Sequence, residues 1–226
     1  MTRMTLPAAA LLLLAPLAAE ATIFRSVAFE EKVENASAIV VGRLVGQQSR
    51  WDAANRNILT YSTFRIEKTL KGEPAQELTI ITPGGTVGTT AQEFIGVPRF
   101  RDGEEHVLFV RQAQAGPTVA FLEQGDYRVE KNDRGDRMVT PAVSTTVLVD
   151  TGRGTAAAPE QPQTLRDFEG AVRESVRRRE TRRMELIELQ KKEQSSLWNL
   201  IRRNKTLVLL ALLGAALATW QLVKRW

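Results

Sequence analysis

Residues 59–70 read LTYSTFRIEKTL, an alternation that sets Phe64, Ile66 and Leu70 on one side of an extended chain and Tyr61, Thr63, Arg65 and Glu67 on the other. A period of two carried by aromatic and β-branched residues predicts a half-buried strand. Working outward, 38–47 (AIVVGRLVGQ) is a second strand, and 77–82 (ELTIIT), 106–111 (HVLFVR), 119–123, 127–130 and 147–149 supply further ones. The separators carry turn chemistry: Lys71-Gly72-Glu73-Pro74, Pro83-Gly84-Gly85, Arg101-Asp102-Gly103 and Asn132-Asp133-Arg134-Gly135. Ahead of the first strand, Phe29, Val33 and Ala36 share one face of a short helix. Short strands at this spacing predict a mainly β fold, a small barrel or sandwich with a flanking helix.

The chain has 226 residues and no cysteine, which excludes disulfides and thiolate chemistry. Its net charge of +5 is local: residues 166–205 hold 12 Lys/Arg against 7 Asp/Glu, and the remainder is close to neutral. That cluster is read as a solvated helix face, or as a contact for anionic lipid or polymer, rather than as a nucleic-acid site.

Both ends are apolar. Arg3, the stretch Leu6 to Leu17 and Ala19-Glu20-Ala21 have the order of a signal peptide over 1–21, with cleavage after Ala21 and Ala19 as the fallback. Residues 206–223 carry no charge and, at about 1.5 Å per residue, reach roughly 27 Å, which predicts a transmembrane helix. Arg202, Arg203 and Lys205 flank it on one side, Lys224 and Arg225 on the other, and Trp220 sits near one interface. The expectation is a single-pass membrane protein with its domain on the periplasmic or extracellular side and a basic tail, 224–226, inside. A terminal span followed by basic residues also has the order of a cleaved sorting signal.

The segments VVGRLVG (40–46), YSTFRIEKTLKG (61–72), LTIITPGG (78–85) and FRDGEEHVLFV (100–110) together resemble the netrin-like OB barrel of tissue inhibitors of metalloproteinases and of secreted bacterial domains with the same order of elements. The resemblance covers about residues 25–150 and implies an OB-like β-barrel over 22–151. Those inhibitors place an N-terminal cysteine on the protease zinc, a residue this chain does not have.

Residues 152–163 (GRGTAAAPEQPQ) read as a linker. Thr164-Leu165-Arg166-Asp167 then resembles a capping box that opens a helical stalk over 164–205, with Leu165, Phe168, Val172 and Val176 on a face turned to the barrel. The series Met184, Ile187, Lys191, Gln194, Trp198 and Ile201, and the small residues Ala211, Gly214, Ala215 and Ala218, offer homo-oligomer contacts through stalk or membrane helix.

Signs of chemistry are few. His106 is the lone histidine, with no Gly-x-Ser-x-Gly elbow to accompany it, so neither a multi-histidine metal site nor a triad is expected. Residues 83–88 (PGGTVG) lack the Gly-Lys-Ser/Thr ending of a phosphate loop. Asn132, Asp133 and Asp136 lack EF-hand spacing. No catalytic residue, cofactor or metal ligand is assigned. Trp51, Asp52, Tyr61, Phe94, Arg99 and Phe100 are the candidate binding surface, since aromatic and Arg side chains supply most contact energy in interfaces. The sequence therefore predicts a membrane-anchored, extracytoplasmic binding module for a protein or cell-envelope polymer. The alternatives are a protease-inhibitor-like regulator of an extracytoplasmic peptidase and an envelope hydrolase of unrecognised type.

Overall fold

The computed structural model describes residues 23–52, 56–143, 147–150, 152 and 155–203, together with 206, 209, 213, 215, 219–221, 223 and 224. The signal-peptide expectation for 1–21 lies outside the described residues.

Two long strands, β1 (Ala38–Asp52) and β2 (Asn57–Lys71), form an antiparallel hairpin whose register runs from Ile39↔Lys71 to Asp52↔Asn57. At about 3.3 Å per residue each reaches roughly 50 Å, too long to stay flat across a small core. Register shifts at Ile39/Val40, Val41/Gly42 and Leu44/Gly46 bend β1 by bulges. Its first half pairs with β3 (Glu105–Ala113), while the far half of β2 pairs with β4 (Glu77–Pro83). Strand β5 (Gly116–Val119) returns along β3 and approaches β4, curling the sheet towards closure. That approach needs glycine at 116: with φ at 129°, a Cβ there would stand 2.9 Å from Ile81 Cδ1.

Beyond β3 the sheet continues through β6 (Asp126–Lys131) and β7 (Arg137–Pro141) to the short β8 (Gln163–Thr164), all antiparallel, making eight strands in all. A separate three-stranded sheet joins Ile23–Arg25, parallel, to Val147–Asp150, and the latter to Thr155–Ala156.

Alternation divides the buried residues into two layers. On the concave side Val40, Leu44, Phe64, Ile80, Phe100, Leu108, Val110 and Val119 form one core. On the opposite side Ile39, Val41, Val107, Phe109, Val129 and Val139 are buried as well. The helix α1 (Phe29–Asn35) and the opening turns of α2 (Leu165–Arg203) cover this second face. Phe168 is its centre, edge-on to Phe29 at 5.3 Å, to Phe109 at 6.1 Å and to Tyr127 at 5.0 Å between ring centroids. Thr164 Oγ1 accepts from the Asp167 amide at 3.1 Å and donates to the Asp167 carboxylate at 2.7 Å, closing the predicted cap.

This arrangement corrects the expected architecture. An OB barrel has five strands; here an eight-stranded sheet carries apolar side chains on both faces and needs a helical cover. Helix α2 begins inside the compact unit that extends to Val172, with Leu165, Phe168 and Val172 buried as their shared face predicts; what is corrected is the membrane helix to which it was expected to lead. No helix among the described residues is long and apolar enough to cross a membrane. The single-pass, membrane-anchored placement expected from 206–223, and with it the periplasmic or extracellular address, is withdrawn on that finding. Apolarity of a run decided the expectation, whereas the long helix that forms, α2, is rich in charge. Much of 206–223 lies outside the described residues, as do Lys205 and Arg225; Arg202 and Arg203 close α2, and Lys224 Nζ lies 4.2 Å from the Trp220 ring centre. Met184, Leu186, Ile187 and Leu189 are exposed on α2, within the compact unit that starts at Arg173.

Because Phe168 joins helix, sheet and Tyr127 in one cluster, Phe168→Ala is expected to destabilise the protein by about 3–5 kcal/mol. Urea denaturation followed by far-ultraviolet circular dichroism measures it. A loss below 1 kcal/mol would mean that α2 does not cover the second face.

Candidate functional site

The inward stripe of the β1–β2 hairpin changes chemistry along its length. Near the core it is Leu44 against Phe64; farther out it becomes Gln47 against Ser62 and Ser49 against Thr60. Gln47 Nε2 donates to Ser62 Oγ at 2.9 Å. Thr60 Oγ1 donates to the Gly84 carbonyl at 2.6 Å, and a hydroxyl has one proton, so the 2.8 Å contact between Ser49 and Thr60 runs from Ser49 to Thr60.

A hairpin of Gly85–Val87 and Thr90–Gln92 frames this end of the sheet, tied down where Gln92 Oε1 accepts from the Ile58 amide at 2.7 Å and where Gly84 N donates to the Ile58 carbonyl at 2.8 Å. Gly85, at φ 127°, is the contact point: a Cβ there would lie 2.3 Å from Thr60 Oγ1 and 2.4 Å from Ser49 Oγ. Only glycine lets the backbone reach the hydroxyl pair.

Between this hairpin, the strand ends and the segment 97–100 opens a cavity of about 350 Å³, lined by Ser49, Thr60, Thr82, Gln92, Phe94 and Arg99 among others, with Phe100 at its inner end. Phe100 also packs edge-on against Phe64 at 5.0 Å and His106 at 5.1 Å, so the cavity rests on the core. At its mouth Phe94 and Ile95 are exposed, and Arg99 pairs with Glu93 at 3.0 Å.

Of the six residues singled out in the sequence, the structure brings Phe94, Arg99 and Phe100 together. Trp51 and Asp52 stand at the far end of β1 and Tyr61 faces the other side of β2, stacked under Arg50 at 3.8 Å; none of the three lines the cavity. Sequence reasoning missed the hydroxyl and amide lining. The signal was there: Thr60 and Ser62 share the parity of Phe64 and therefore face inward.

His106 lies elsewhere, in the floor of the core. It is 0% exposed, with Nδ1 2.7 Å from Asp126 Oδ1 and Nε2 3.4 Å from Glu104 Oε2. Burial pushes the Asp126 carboxyl above its ordinary range, and the hydrogen bond to His106 opposes that rise. Among the described residues no group of three or more His, Asp or Glu side chains is placed to hold a metal ion.

Gly85→Ala is expected to cost about 1–3 kcal/mol, since it combines an unfavourable φ with two overlapping hydroxyls. Equilibrium urea unfolding reads the loss, and an unchanged midpoint would mean that the hairpin does not seat on Ser49 and Thr60.

Comparison of the chain with protein-family models, with curated proteins and with solved structures returned no match, so nothing in them identifies the netrin-like domain that residues 25–150 resemble.

Proposed function

We propose that the protein is a binding module whose ligand-facing surface is the cavity between the 85–92 hairpin and the outer ends of β1 and β2. The observation that carries this reading is the composition of its wall: neutral hydroxyl and amide groups inside, an exposed aromatic and an arginine at the mouth. Such a wall matches a ligand presenting hydroxyl and amide groups, on a protein segment or a polymer chain, better than it matches a charged or purely apolar one. The sealed His106–Asp126 pair gives no competing site, because a group at 0% exposure meets no substrate.

The test is an array of immobilised peptides and oligosaccharides probed with the full chain, followed by titration calorimetry on the strongest hit. Phe94→Ala and Arg99→Ala are each expected to weaken binding about tenfold, or ~1.4 kcal/mol, without shifting the unfolding midpoint. Wild-type affinity in both variants would remove the cavity from the reading.

A further inference from the structure

The linker expected at 152–163 crosses a buried cation. Lys32, on α1, is only 2% exposed, and its ammonium donates to the Gln124 carbonyl at 3.2 Å, to Tyr127 Oη at 2.6 Å and to Glu160 Oε1. Tyr127 Oη in turn donates to the other oxygen of Glu160 at 2.7 Å. One carboxylate is thus gripped on both oxygens, by an ammonium and a phenol, through charge-assisted hydrogen bonds.

Each wall of this receptor is fixed without help from Glu160. The Tyr127 ring is held against Phe109 at 5.6 Å and Phe168 at 5.0 Å. The Gln124 side chain bridges two backbones, accepting from the Val27 amide at 2.9 Å and donating to the Arg25 carbonyl at 3.0 Å. Lys32 rises from a helix whose Val33 is in the core.

The occupant is fixed differently. The side chain of Glu160 is 41% exposed, so it enters from solvent and can leave the same way. The strap that carries it is held at both ends by backbone bonds: Ala157 N to the Leu148 carbonyl at 2.8 Å, and Gln163–Thr164 in the sheet beside Val139 and Met138. Pro159 and Pro162 stiffen the chain around Glu160. Loss of the Glu160 carboxylate therefore opens a hole over Lys32 instead of releasing the segment. Desolvation lowers the affinity of Lys32 for its proton and the Glu160 charge restores part of it, so another carboxylate entering the emptied site would again favour the ammonium.

We infer that Lys32 and Tyr127, with the ammonium oriented by the Gln124 carbonyl, form a carboxylate-binding site, filled in this state by Glu160 and open to the side-chain carboxylate of an acidic peptide when Glu160 turns to solvent. This site is separate from the cavity of the proposed function and does not rest on it.

Chemical rescue tests it on the full chain. In Glu160→Ala, the melting temperature is expected to fall, and added acetate or propionate to raise it along a saturating curve. Sodium chloride at equal ionic strength should not do so. The same titration should leave wild type flat, and also the double variant Lys32→Met with Glu160→Ala, which lacks the cation. N-acetyl-glutamate amide, small enough to enter the hole, should bind Glu160→Ala at least tenfold tighter than N-acetyl-glutamine amide. Equal rescue by chloride, or equal response of the double variant, would overturn the assignment. If Glu160→Ala does not fold, Glu160→Ser, which leaves the same space over Lys32, carries the same titration, and its failure to respond to carboxylates overturns it equally.

Discussion

Strand β1 is buried on both of its faces, and the rest of the molecule is arranged to allow that. Ile39, Val40 and Val41 are successive residues and point to alternating sides, yet all three are fully buried. Burying such a side chain contributes about 1.5–3 kcal/mol, against roughly 1 kcal/mol net for a hydrogen bond. Cover on both faces therefore outweighs any single polar contact. The inner face is covered by the curl of the sheet itself, through β3, β4 and β5. The outer face is covered by α1 with the first turns of α2. Because α2 follows β7 in the chain by more than twenty residues, the intervening segment must return across α1 before the helix can begin. That return places Glu160 over Lys32. The carboxylate site is in this sense a consequence of covering β1.

Polar groups inside this frame are placed where a partner can be built. Glu105, nearly buried at the start of β3, is met by Arg43 at 3.2 Å and by Arg137, both of which also contact Glu67, so four charges alternate in sign across four strands. His106 and Asp126 satisfy one atom each, leaving His106 Nε2 and Asp126 Oδ2 without a hydrogen bond. Each unsatisfied buried group costs about 1–3 kcal/mol. The Lys32 cluster is the more complete of these solutions, with all three ammonium donors engaged.

The local part of this design is readable from residues alone. Alternation in 59–70 places Phe64 inside and Arg65 outside, and the 38–41 run shows a strand apolar on consecutive positions. The stripe Leu165, Phe168, Val172 also has the spacing of a packed helix face. What sequence cannot supply is the identity of the surface opposite a given face. Ser49, Thr60 and Ser62 have inward parity, but nothing near them in the chain tells that Gly85 closes over them. His106 meets Asp126 and Lys32 meets Glu160 across 20 and 128 residues, with no spacing rule linking either pair. Apolar content, length and flanking charges measure neither helix formation nor surroundings, and the reading of 206–223 rested on those.

The passage from apolar to polar along one inward stripe also explains why an open space survives there. An apolar gap of this size in the Leu44–Phe64 region would forfeit contacts on every wall and be closed by repacking. At Ser49 and Thr60 the walls are hydroxyls and carbonyls, which water solvates well, so an unfilled cavity carries little penalty. The bulge between Leu44 and Gly46 falls at the transition, turning the outer hairpin away from the core axis and letting the 85–92 hairpin, rather than a side chain, form the remaining wall. A ligand entering there exchanges hydrogen bonds with water for hydrogen bonds with Ser49, Thr82 or Gln92, a nearly balanced trade. Affinity must then come from the exposed ring of Phe94 and from Arg99 at the mouth. Selectivity falls to the interior, where an unmatched polar group on either side would be left without a partner.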